Sequence, residues 1–129
     1  MNKFLNIIFL TFFVSISLSD DIPGSNVYYL EPGPNLVSFN TLPENTSIDD
    51  IFLPIQDKLV SIISGGQISY NSEGNWAGTL TDLNYSQGYW VIASDISLIN
   101  INGIINNNTT YYLETGANLI SYPFPNIQS

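Results

Sequence analysis

Tyr28–Phe39 reads YYLEPGPNLVSF, and Tyr111–Tyr122 reads YYLETGANLISY. Eight of the twelve positions are identical: Tyr28, Tyr29, Leu30, Glu31, Gly33, Asn35, Leu36 and Ser38 recur as Tyr111, Tyr112, Leu113, Glu114, Gly116, Asn118, Leu119 and Ser121. Val37 against Ile120 and Phe39 against Tyr122 are conservative exchanges. The offset of 83 residues is the size of a small domain. A repeat of that length speaks for tandem units with separate cores, not for a solenoid of short units. Each copy reads as a hairpin: β-formers over Val27–Glu31, a turn at Pro32-Gly33-Pro34, and a second strand over Leu36–Phe39. Glycine at 33 and 116 suits a turn position that needs a positive φ. The chain therefore divides into a β-rich module over 27–105 and the first hairpin of a truncated second module over 111–129. A rival account makes that second hairpin part of the first module, paired with its open edge. Copying an opening hairpin is an odd way to close a sheet, which favours truncation.

Working outward, Ser47 is placed to cap a short helix, with Asp49 and Asp50 in its first turn, where carboxylates favour the helix dipole. Ile48, Ile51, Phe52, Ile55 and Leu59 fall on one face at helical spacing, and Pro54 should end or kink the helix. The helix is placed over Ile48–Leu53. Strand patterns follow at Leu59–Ser64 and Gln67–Asn71, joined by Gly65-Gly66, with another turn at Ser72-Glu73-Gly74-Asn75. Trp76–Asn84 reads as irregular. Gly88–Ser94 is the strongest strand, with Tyr89, Val91 and Ala93 on one face and Trp90 and Ile92 on the other. Ser97–Asn102 is expected to pair back on it across a turn at Asp95. The fold class implied is mainly β, a β-rich α+β unit: a small antiparallel sandwich or partly open barrel with one short helix. Residues 20–26 and 106–110 read as linkers.

The N-terminal 19 residues have the order of a secretory signal: Lys3, an apolar run over Phe4–Leu18, and small residues at Ser17 and Ser19 before Asp20-Asp21. The run is shorter than the ~20 residues of a spanning helix, so cleavage is expected, not membrane insertion. The mature chain would be secreted or displayed at a cell surface. Cysteine is absent, so no disulfide supports the fold even in an oxidising compartment. The whole chain carries a formal charge of −9, with eleven acids against two bases, and loss of Lys3 leaves Lys58 alone. Such a surface repels phosphate backbones, so nucleic acid is not an expected partner.

The stretches NLVSF, SIDDIF, LVSII, GNWAGTLTDLNYSQGYWV and ININGI, with the restart at Tyr111, resemble a tandem module of secreted bacterial surface proteins. In that module a GWNLISFP-type stretch opens the unit and a GYWV element stands near its end. The tryptophan usual before Asn is Pro34 in one copy here and Ala117 in the other. The resemblance implies export, further modules of the same polypeptide as partners, and no catalytic residues to carry over.

The chemistry legible in the residues is thin. Without His or Cys there is no imidazole base, no thiol nucleophile and no ordinary zinc set. Asp49, Asp50, Glu73, Asp82 and Asp95 are the carboxylates that could pair for glycoside hydrolysis. Adjacent helical positions suit Asp49 and Asp50 poorly for that, and Asp is common at turns for backbone reasons. No enzyme activity is expected and no cofactor is required. Calcium is the one ion the composition leaves open, through weak ligand sets: Asp82 with Asn84, or Asp95 alone. Aromatic rings stack on the apolar faces of sugars, and Trp76, Tyr85, Tyr89 and Trp90 lie close in sequence. They are the candidate ligand residues, with a glycan as partner, against the plain alternative that a small β domain uses such rings to fill its core. The expected function is a non-catalytic exported module, a spacer or adhesion unit. The alternative is a carbohydrate- or ligand-binding accessory module of a larger secreted enzyme.

Overall fold

A computed structural model describes residues 21–106 and 108–122. The expected signal segment and the last seven residues lie outside them. Strands make up 51% of the described residues and helices 10%, in two antiparallel sheets that do not close into a barrel. Among the described residues no helix is long and apolar enough to cross a membrane. The strands are β1 (Ile22–Leu30), β2 (Gly33–Ser38), β3 (Thr41–Leu42), β4 (Leu59–Ser64), β5 (Gln67–Ser72), β6 (Asn75–Gly78), β7 (Gly88–Ala93) and β8 (Ser97–Ile105). One sheet has the order β1-β8-β3 and the other β2-β7-β4-β5-β6.

This topology corrects two expected hairpins. β1 and β2 do not pair with each other: β1 pairs with β8 and β2 with β7, so the chain changes sheet at Glu31-Pro32. β7 and β8 likewise belong to different sheets, and the turn at Asp95 is a second crossing. The crossings lie side by side, because Leu30 is opposite Ser97 in one sheet and Gly33 is opposite Ala93 in the other.

The reason for the first crossing is the Asn35 side chain. Its Oδ1 accepts the Glu31 N–H (2.9 Å), and its Nδ2 donates to the carbonyls of Glu31 (2.8 Å), Gly33 (3.1 Å) and Val91 (3.2 Å). The side-chain amide takes the backbone groups through which Glu31 would have joined a hairpin ladder. Gly33 supplies the required φ of +98°.

The expected linker 20–26 is also corrected. From Ile22 onward it is strand, part of a nine-residue β1. Trp76, placed in an irregular loop, stands in β6, opposite Asn71 of β5. The short helix spans Ile48–Ile51, and a 3-10 segment at Leu53–Lys58 follows, with Pro54 in its first turn. The helical face is as expected: Ile48, Ile51, Phe52, Ile55 and Leu59 are all buried. Ser47 does stand at the N-cap but makes no side-chain cap. The Ile48 N–H donates instead to the Thr81 carbonyl (3.0 Å), and Leu83 N–H to the Thr46 carbonyl (2.9 Å). These bonds tie the helix start to the loop that delivers Leu80 and Leu83 to the core.

The core lies between the sheets and is centred on Phe39. Its ring is 5.1 Å from Tyr28, 5.5 Å from Tyr89 and 6.1 Å from Phe52, and Phe52 is in turn 6.3 Å from Trp76. Aromatic pairs at these separations add to the stabilisation from area burial. Gly103 marks the tightest packing on β8, since a Cβ there would sit 2.1 Å from the Leu42 carbonyl oxygen.

The Asn35 clamp yields a direct expectation. Asn35→Ala strands backbone groups at the crossing and should cost about 1–3 kcal/mol in urea unfolding. Asn118→Ala, at the matching position of the second copy, should cost much less, because its side chain makes no bond to β7.

Candidate functional site

The four aromatic candidates separate by position. Tyr89 points into the core and is 0% exposed. Its hydroxyl accepts the Asn84 N–H (2.7 Å) and donates to Gln87 Oε1 (3.1 Å). Burial pushes this hydroxyl up to about 12, partly opposed by the Asn84 hydrogen bond, with Asp82 nearby adding to the rise. Tyr85 is partly buried, and its hydroxyl donates to the Ile104 carbonyl (2.6 Å) while accepting the Leu42 N–H (3.3 Å). It staples β3 to β8, and burial again raises its pKa. Trp76 packs partly buried against Phe52, its Nε1 enclosed with no hydrogen-bond partner among the described residues. Tyr89 is thus a core ring, as the plain alternative has it, while Tyr85 and Trp76 are part-buried, so the four candidates do not share one exposed surface.

Trp90 differs. It faces outward from β7 and is 39% exposed. Register places it opposite Leu36 of β2 on one side and Ile63 of β4 on the other, and Ile63 is opposite Ile68 of β5. A second row in register runs beside this one, through Pro34, Ile92, Ser61, Tyr70 and Ala77, with Ser61 buried in it. Tyr70, which sequence reasoning did not single out, is 57% exposed. The signal that could have found it is the alternation of Gln67–Ser72, which puts Ile68 and Tyr70 on one face.

None of the five strands of this sheet contains Asp, Glu, Lys or Arg, and neither do the three strands of its partner. Among the described residues the charges occupy loops, turns and helices: Asp21, Glu31, Glu44, Asp49, Asp50, Asp57, Lys58, Glu73, Asp82, Asp95 and Glu114. The outer face of the five-stranded sheet is thus apolar, aromatic and neutral, framed by an acidic rim.

The candidate calcium ligands are engaged locally. Asp82 accepts from the hydroxyls of Thr46 (3.1 Å) and Thr81 (2.8 Å), Asn84 Oδ1 accepts from Ser86 N–H and Oγ (both 2.9 Å), and Asp95 accepts the Ile96 N–H (2.7 Å). Among the described residues no three His, Cys, Asp or Glu side chains group together. Of the carboxylates weighed for hydrolysis, Asp49 and Asp82 border one depression of about 120 Å³ beside Trp76. That is below the usual size of a ligand pocket. Asp50 is held by Asn45, and Glu73 turns between β5 and β6 with φ +52°. A larger cavity of about 330 Å³ lies between Ser86-Gln87 and the second copy of the repeat, with Glu114 as its carboxylate.

Comparison with family models, with curated proteins and with solved structures found no match.

The tyrosines set a pH expectation. Folding holds Tyr89 protonated beyond the ordinary value of 10, up to about 12. Its contribution is complete below pH 10 and is lost as pH rises from 10 through 12. Burial raises Tyr28 in the same direction. Stability should therefore be flat up to about pH 10 and fall above it, with tyrosinate absorbance appearing together with unfolding. Tyr89→Phe should blunt that fall.

Proposed function

We propose that this chain is a non-catalytic exported module that stands in series with others of its kind, as a spacer or adhesion unit of a surface protein. The observation that supports the reading is one corner built twice. At the second copy, Asn118 Oδ1 accepts the Glu114 N–H (2.9 Å), and Nδ2 donates to the carbonyls of Glu114 (2.9 Å) and Gly116 (3.1 Å). Gly116 has a φ of +104°, next to +98° at Gly33. The local geometry is the same to within a few tenths of an ångström.

The surroundings are not the same. Leu30 is 1% exposed in the first copy, and its counterpart Leu113 is 66% exposed. Phe39 is 1% exposed and Tyr122 is 48%. The second corner thus carries the apolar residues of a sandwich core without lying in this one. It touches the module through Leu119–Tyr122: Gly88 N–H donates to the Leu119 carbonyl (3.2 Å), Ser121 N–H to the Ser86 carbonyl (3.0 Å), and Tyr122 N–H to Ser38 Oγ (2.8 Å). On this reading the contact sets how one unit follows the next. The sequence, without His or Cys, and the dispersed, exposed carboxylates agree with a role that needs no reaction.

One observation favours a second reading, a ligand-binding accessory module: the neutral outer face that carries Trp90 and Tyr70.

A stability comparison tests the leading reading. Leu30→Ala should cost about 2–5 kcal/mol, as a core truncation does. Leu113→Ala, at the identical position of the repeat, should stay within about 0.5 kcal/mol of the parent protein. Equal losses would place the second corner in the core of this module and overturn the serial reading.

A further inference from the structure

We propose that the outer face of the five-stranded sheet is a binding platform for an uncharged polysaccharide, with Trp90 and Tyr70 as its stacking rings. The proposal rests on the reading of the chain as a non-catalytic adhesion or binding module and names its ligand class.

Position and exposure come first. Trp90 and Tyr70 stand outward on β7 and β5, with β4 between them. Ile63 faces Trp90 across β4, and Ser61, two residues away on the same strand, faces Tyr70. Strand spacing and rise then put the two Cα atoms about 12 Å apart. That span exceeds one pyranose ring, so the two aromatics engage different units of one chain, not the two ends of one sugar. Between them lie the part-buried Ile63 and, beneath the neighbouring side chains, the buried Ser61 of β4. The face is an open platform and not a pocket, which suits a polymer that runs across it. Contiguous exposed apolar surface on a small monomer marks an interaction site.

Charge selects the occupant. No strand of the sheet carries Asp, Glu, Lys or Arg, while turns at its strand ends carry Glu31, Glu73 and Asp95. An anionic polymer or membrane surface meets repulsion from that rim. A second copy of this chain, with a formal charge of −9 of its own, meets the same repulsion. A cationic partner would seek the rim and leave the face unused. A neutral glycan needs no countercharge, and its apolar ring faces match indole and phenol rings.

The test is depletion of the whole chain from solution by insoluble uncharged polysaccharides: microcrystalline cellulose, chitin and mannan. Binding to at least one is expected, with affinity unchanged within twofold between 50 mM and 500 mM NaCl. Trp90→Ala should weaken it at least tenfold and Tyr70→Ala at least threefold. Leu98→Ala, exposed on the outer face of the other sheet, should leave it unchanged. Circular dichroism confirms folding of each variant, and Tyr70→Ala carries the test if Trp90→Ala does not fold. Binding to none of the three, or binding indifferent to both substitutions, overturns the proposal. So does a self-associated species in sedimentation that Trp90→Ala dissociates, which would assign the face to a second copy. Each of these outcomes leaves the comparison of Leu30 with Leu113 intact, so the ligand class and the serial reading fail separately.

Discussion

The architecture depends on one side-chain amide. Asn35 satisfies both backbone groups of Glu31 and reaches the Val91 carbonyl on the neighbouring strand. The first two bonds make the chain turn between sheets instead of folding back, and the third fixes where the turned strand lands. Once β2 is set against β7, Gly33 is level with Ala93, and the β7–β8 crossing has to run beside the β1–β2 crossing. Two crossings in register hold the sheets face to face along one side. Phe39 then enters the gap a few residues on and meets rings from Tyr28, Phe52 and Tyr89. The amide acts locally, but the sheet pairing and the aromatic core both follow from it.

Local structure was legible in the sequence, and pairing was not. The alternation over Gly88–Ser94 put Tyr89, Val91 and Ala93 on the face opposite Trp90, and the first three are buried while Trp90 is exposed. The Gly65-Gly66 turn, with φ of +53° and +76°, joins β4 and β5 as its composition implies. The helical face from Ile48 to Leu59 was equally plain. Crossings and hairpins, however, use the same turn chemistry: Gly, Pro and Asp between β-formers. What separates them is the destination of two or three backbone hydrogen bonds, and an asparagine two positions after a glycine is a faint sign of that. β6 escaped notice because its four residues, Asn-Trp-Ala-Gly, are too few to show a period, and its last residue carries a φ of +149°.

The candidate site was legible only in part, because closeness in sequence is a poor guide to shared surface. Tyr89 and Trp90 are neighbours in the chain and face opposite sides of the sheet. Tyr85 serves through its hydroxyl, which anchors to β3 and β8. Tyr70 joins Trp90 only through the register of β4, a long-range fact that no window of sequence contains. The repeat at Tyr111 shows the same limit in reverse. Its clamp forms from local residues alone, yet whether Leu113 is core or surface depends on strands elsewhere.

Neutral sheets in an acidic chain look contradictory until the charges are placed. β1 is a nine-residue edge strand without a charge, the kind of edge that invites pairing with another chain. Asp21 and Glu31 stand at its two ends, in the position of gatekeepers beside an unavoidable apolar strand. Pro23 removes one edge donor within it. Glu73 and Asp95 occupy turns at the ends of β5 and β7 in the same way. Charges at strand ends oppose the approach of a like-charged copy within about a Debye length, roughly 8–10 Å at physiological salt. They do so without placing a carboxylate on either face. The arrangement opposes the approach of like-charged copies at the strand ends while leaving both broad faces without a carboxylate, and a charged residue on the strands would have achieved only the first.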